Sequence, residues 1–116
     1  MTTPQKLTQL EKQIQTLKTA LAALGPMRPG SLSRQYNVCG NPHCRCKDKT
    51  HPQKHGPYYQ LSYGHRGKHT TQFIRRAHLA HVKRQLANFK TFRKLTDRWV
   101  NLALQHALLG LKQIKI

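Results

Sequence analysis

Between Cys39 and Pro57 the chain carries three cysteines and three histidines, yet no Leu, Ile, Val, Met, Phe, Tyr or Trp. Such a segment has too little apolar surface to offset the entropy lost on ordering it. Something other than a hydrophobic core must hold it. Cys39, Cys44 and Cys46 follow C-x4-C-x-C spacing, an odd number that cannot close into disulfides. Thiolates are soft donors that prefer zinc, and a structural zinc takes four nitrogen or sulfur ligands in a tetrahedron. The fourth ligand must be a histidine: His43, His51 or His55. His43 adjoins Cys44 and would have to fold back over its own neighbour, while His51 sits in the flexible KDKTHPQK stretch. His55 opens HGPYY, and binding it would clamp the loop to the next element, so it is the preferred ligand. Structural Zn2+ is the expected cofactor, worth on the order of 10 kcal/mol in small finger sites. A catalytic zinc would need an open position and a nearby acid or base, and Asp48 is the one acid in the segment.

Charge narrows the partner. Twenty-one Lys and Arg face three acids, Glu11, Asp48 and Asp97, for a net charge of +18. Self-repulsion on that scale opposes compaction, and a polyanion relieves it. The basic residues run from Lys6 to Lys115, so a folded surface carries them. Nucleic acid is the expected partner, DNA ahead of RNA. No apolar run approaches the ~20 residues of a membrane span. The opening MTTPQKLTQLEKQIQ lacks the apolar centre of a signal peptide. A cytoplasmic protein without a membrane partner is expected, and DNA as the partner is compatible with association with the nucleoid.

The expected fold class is α+β, mainly α, in a single domain over 1–116. A coiled-coil-like helix is expected over 4–24, with Thr3 as cap and Gly25-Pro26 as its end. Its Leu7, Leu10, Ile14, Leu17, Leu21 and Leu24 alternate spacings of three and four, a narrow seam. That seam must be covered, either by the C-terminal helix or by a second copy in a homodimer. Met27 to Asn37 reads as a connector, followed by a zinc knuckle over 38–57. YYQLSY and HTTQFI flank the turn formers Gly64 to Lys68, which predicts a β-hairpin over 58–74. Tyr59, Leu61 and Tyr63 share one face and are read as core; Tyr58 lies on the other and is the better contact residue. A long basic amphipathic helix is expected over 77–110. Its apolar stripe of Val82, Leu86 and Phe89 resumes one residue out of phase at Phe92, Leu95, Trp99, Leu102, His106 and Leu109. The slip implies a kink or a change of partner along the helix.

On that helix Arg76, Lys83, Lys90, Lys94 and Arg98 fall within about 80° at ~100° per residue, with no acid on the same face. A solvated helix face more often interleaves Glu with Lys. The stripe is therefore read as a phosphate-binding surface, offering position rather than sequence. Arg66 and Lys68 at the hairpin tip, Arg75 at its exit and Tyr58 complete the expected nucleic-acid contacts. Lys47, Lys49 and Lys54 add charge nearby. Two-metal nuclease chemistry needs several convergent carboxylates, and three scattered acids cannot supply them. His78 and His81, at i,i+3, are read as polar surface. No catalytic residue is assigned, and an enzyme is not expected.

The segments RPGSLSRQY, CGNPHCRC, HGPYYQLSY and the following GK resemble a family of small, basic bacterial proteins of uncharacterised function. Its members share a GSL…Y…CG-x-P-x-C-x-C…HGPYY…GK core flanked by helices. The resemblance covers roughly residues 29–76 and supports Cys39, Cys44, Cys46 and His55 as the shared polar positions. The chain departs from the pattern in the extra Thr50 to Lys54, which carries His51. The resemblance implies genes lying near transposases and other mobile elements. The expected function is a zinc-stabilised nucleic-acid-binding accessory protein serving a mobile element or its recombination or nuclease machinery, with a transposase or nuclease as protein partner. The alternative is an adaptor or structural subunit of a ribonucleoprotein, docking through the leucine seam and binding RNA.

Overall fold

The computed structural model describes residues 1–114. It is α+β: an N-terminal helix, a three-stranded antiparallel sheet and a long C-terminal helix. Two compact units divide the chain, Arg28–Leu86 on one hand and Met1–Met27 with the chain from Ala87 on the other. Among the described residues no helix is long and apolar enough to cross a membrane.

The sheet unit contains β1 (Ser31–Asn37), β2 (His55–His65) and β3 (Lys68–Ile74), hydrogen-bonded in that order. A two-residue turn, Arg66-Gly67, joins β2 to β3 with φ of 51° and 75°. Positive φ at both positions gives the twist that a right-handed hairpin requires. The first strand corrects the expectation of a connector over 27–37. SLSRQYN holds a single aliphatic residue, so its alternation is too faint to read as a strand. Pairing supplies what pattern does not: Leu32 lies opposite Leu61 across the β1–β2 ladder.

One sheet face is covered by the first turns of α2 (Leu79–Leu111), which follows a 3-10 turn at Arg76–His78. Leu61 is fully buried there with Ile74 and Val82, and Leu32, Tyr59, Tyr63 and Leu86 pack around them. Alternation along β2 puts Tyr58, Gln60 and Ser62 on the opposite, open face.

In the helical unit α1 (Thr3–Ala22) runs antiparallel to the later part of α2. Glu11 Oε1 meets His106 Nε2 at 3.0 Å, Lys18 Nζ stands 5.3 Å over the Trp99 ring, and Asn88 donates to the Pro26 carbonyl at 2.9 Å. The contacts descend α2 as they ascend α1. Leu10 and Leu17 are the buried members of the seam, in the unit that α1 forms with the later part of α2. The cap is Thr2 rather than Thr3. Thr2 puts Gln5 at the third helical position, where side chain and backbone bond reciprocally in a capping box. Thr3 would have put Lys6 there, which has no acceptor.

Val82 and Leu86 face the sheet, whereas residues from Ala87 onward belong with α1. The helix thus changes partner at Leu86, and the phase slip between Phe89 and Phe92 follows within the part that belongs with α1. On the outer side of this helix Val100, Leu104 and Leu108 stay exposed.

Candidate metal centre

The sheet register sets up the site. Asn37, the last residue of β1, pairs with His55, the first of β2. This pairing closes residues 38–54 into a loop whose two ends are adjacent. Cys39 follows two residues after Asn37, and His55 is itself in the ladder, so a thiol and an imidazole meet where the loop begins and ends. Gly56 carries φ of 139°, and a Cβ there would lie 2.8 Å from the Gln35 carbonyl. Only glycine lets β2 begin so close to β1.

Within the loop Asn41 shapes the first turn. Its Oδ1 accepts from the His43 amide at 3.0 Å, and its carbonyl accepts from the Cys44 amide at 3.3 Å. Cys44 then caps a 3-10 turn, Arg45–Lys47, with Cys46 buried inside it. The Gln53 amide donates to the Arg45 carbonyl at 3.0 Å, tying the far limb of the loop back to that turn. Asp48 accepts from the Thr50 amide at 3.0 Å, so the segment's one carboxylate is engaged in a local turn.

The ligand atoms of Cys39, Cys44, Cys46 and His55 all lie within 4.8 Å of one another. Cys39 Sγ and Cys46 Sγ are 3.7 Å apart, and Cys44 Sγ is 3.2 Å from His55 Nε2. Two Zn–S bonds of ~2.3 Å at the tetrahedral angle give a sulfur–sulfur edge of about 3.8 Å. The cluster therefore has the donor set and the size for a zinc ion, and its sulfurs stand too far apart for a disulfide of ~2.05 Å. His43 and His51 lie outside it. Among the described residues no other group of three or more His, Cys, Asp or Glu converges.

Electrostatics point the same way. A backbone hydrogen bond from Asn41, helped by His55, lowers the Cys39 thiol to about 6. The Cys46 backbone lowers Cys44 likewise. At Cys46 the Cys39 amide, 3.4 Å from the sulfur, favours the thiolate, but burial and the neighbouring Cys44 and Cys39 thiols outweigh it and push the group up. Cys39 and then Cys44 raise His55. Amides aimed at sulfurs suit thiolates, but three thiolates so close repel, and a divalent cation removes that conflict.

The expected nucleic-acid residues fall in several places. Arg66 lies in the β2–β3 turn and Lys68 opens β3, while Arg75 and Arg76 follow β3. Lys83 belongs to the sheet unit, whereas Lys90, Lys94 and Arg98 belong to the helical unit. All eight basic side chains are exposed. Among the described residues no Lys or Arg contacts a carboxylate, and Glu11 meets the His106 imidazole instead, so none of the eight is paired with an acid there. Tyr58 is 43% exposed on the open sheet face. Sequence reasoning missed Phe73, 67% exposed on that same face opposite Gln60. Phe73 and Ile74 are adjacent and equally apolar, so only the register tells which one points outward. Asn41, which organises the knuckle, carried no recognisable signal beyond its place in CGNPHC.

A family model described as a domain of unknown function (DUF6788) matches residues 7–84, from α1 through the sheet to the first turns of α2. The whole Cys/His cluster lies inside that match. No curated protein and no solved structure matches the chain.

Proposed function

We propose that this chain, which belongs to the DUF6788 family, is a zinc-stabilised nucleic-acid-binding accessory protein, with DNA the favoured ligand and no catalytic activity of its own. The observation that carries the reading is uncompensated positive charge. The chain bears 21 Lys and Arg against three acids, Glu11 is occupied by His106, and the expected contact side chains are exposed without carboxylate partners. A polyanionic backbone is the ligand that such a surface suits.

Zinc has a structural part in this reading. Cys39, Cys44, Cys46 and His55 would fill all four positions of a tetrahedral ion, which suits a closed site rather than one that activates water. Service to the recombination or nuclease machinery of a mobile element is the setting that the sequence resemblance implies. An adaptor docking through the leucine seam is less well supported, because Leu10 and Leu17 are buried against α2.

Fluorescence anisotropy with labelled duplex DNA, single-stranded DNA and RNA across a salt series tests the reading. Log affinity should fall linearly with log salt, with a slope that counts neutralised phosphates. Absence of binding to all three at low salt would refute it. Crosslinking in the native host, followed by sequencing, would then separate genomic DNA ends from a single structured RNA.

A further inference from the structure

We infer that the open face of the sheet is a stacking platform for single-stranded nucleic acid, with unpaired bases lying on Tyr58 and Phe73 and the adjoining phosphates on Arg75 and Arg76. This rests on the nucleic-acid reading above and specifies its ligand.

Scattered exposed apolar residues are ordinary on a protein surface. These two are not scattered. Phe73 pairs with Gln60, and Tyr58 stands two residues before Gln60 on the same strand face. The rings therefore rise from diagonal neighbours, ~7–8 Å apart at the backbone, both on the face turned away from Leu61, Ile74 and Val82. They line one cleft of about 270 Å³ with Pro57, Arg75 and Arg76, and their strand neighbours Tyr59 and Ile74 also contribute to its wall. That is below the ~300–1,000 Å³ of a typical small-molecule site, and two flat rings with guanidinium groups at the margin suit a planar base followed by its phosphate.

The rest of the open face on the three strands is polar and holds no Lys, Arg, Asp or Glu. Ser33 and Gln35 on β1 lie opposite Gln60 and Tyr58, and Thr71 on β3 lies opposite Ser62. Gln35 donates to Gln60 Oε1 at 2.6 Å, which holds the floor between the strands rigid. No acid stands on the three strands, and the unit's one carboxylate, Asp48, is bonded to the Thr50 amide in the knuckle loop. A single strand exposes base faces to such rings, whereas a duplex keeps them stacked internally. The ligand is thus an unpaired strand.

The test uses the full-length, zinc-loaded chain. Labelled oligo(dT), oligo(U) and a duplex of equal length are titrated against the parent and against Tyr58→Ala, Phe73→Ala and the pair. Each ring removed should weaken oligo(dT) binding by at least about fivefold. The salt slope should not move, because no charge is lost, and duplex affinity should stay within twofold. Tyr58→Phe and Phe73→Trp should keep the parent affinity, which separates stacking from damage to the fold. Tighter binding of oligo(U) than oligo(dT), with the same ring dependence, would support the platform and assign it to RNA. If the parent binds oligo(dT) and the alanine variants bind it equally well, the platform is wrong while the nucleic-acid reading stands. If the parent binds no oligomer at low salt, both fall.

Discussion

Asn37 and His55 face each other across the β1–β2 ladder, and this one pair brings the beginning and the end of the cysteine loop together. Sheet and metal site are mutually dependent as a result. The ladder delivers His55 to the thiols, and an ion held by the thiols would hold the ladder's open end shut.

One zinc per chain is therefore expected by metal analysis. Cys46→Ser or His55→Ala should abolish stoichiometric binding, while His43→Ala and His51→Ala should retain it. Chelation should raise amide exchange over residues 38–57 and at the Asn37 end of β1, because metal binding supplies folding free energy that this segment otherwise lacks. Full zinc retention in the His55 variant would overturn the ligand assignment.

Proton competition sets the pH dependence. Zinc binds thiolate and neutral imidazole, so it must displace whatever protons those groups carry. Cys39 lies at about 6 and Cys44 is lowered, so both favour the thiolate; His55 is raised and Cys46 is raised, so both resist deprotonation. In the metal-free fold the lowered Cys39 contributes stability that is complete only above the ordinary thiol value of 9.0 and is lost progressively as pH falls from there through about 6. The raised His55 contributes in the opposite sense, through its proton, and loses that contribution as pH rises. Zinc affinity, followed with a chromophoric chelator, should decline on acidification and most steeply below about pH 6. A flat profile between neutral and acidic pH would contradict this assignment of donors.

Changing Lys83, Lys90 and Lys94 together to Ala should reduce the salt slope of nucleic-acid binding by about 2 to 3. All three side chains are exposed, so the melting temperature should stay close to the parent's. An unchanged slope would remove this helix face from the interface.

Arg66 sits at φ of 51°, in the left-handed region that a non-glycine residue occupies at some cost. Asn-Gly is the preferred pair for such a turn. Arg66→Asn should therefore stabilise the hairpin by up to about 1 kcal/mol and weaken nucleic-acid binding at the same time. Thermal melts and anisotropy on the same sample would reveal the trade. A variant that binds as well as the parent would show that Arg66 makes no contact.

Burial should separate neighbours on the sheet. Leu61 is fully buried, and Leu61→Ala should cost about 2–5 kcal/mol. Phe73 is 67% exposed, and Phe73→Ala should change stability by no more than about 0.5 kcal/mol. Equal losses in the two melts would mean that the open face is covered in solution.

Much of this protein is written in short-range chemistry, which a sequence displays directly. The leucine spacing of α1, the proline- and glycine-free run of α2 and the aromatic strands around the Arg66-Gly67 turn are local patterns, each legible without knowing its partner. So is the donor set: three thiols and a histidine in an apolar-poor segment carry their chemistry in their residue types. Tertiary structure decided what depends on pairing. Ser31–Asn37 is a strand because β2 lies beside it, since its own residues barely alternate. Phe73 faces outward and Ile74 inward because Tyr59 meets Ile74 across the ladder, a choice that two adjacent apolar residues cannot express by themselves. The burial of Leu10 and Leu17 in the unit that α1 forms with the later part of α2 likewise depends on packing. Burial periodicity says that a face must be covered, and only the packed chain says by what.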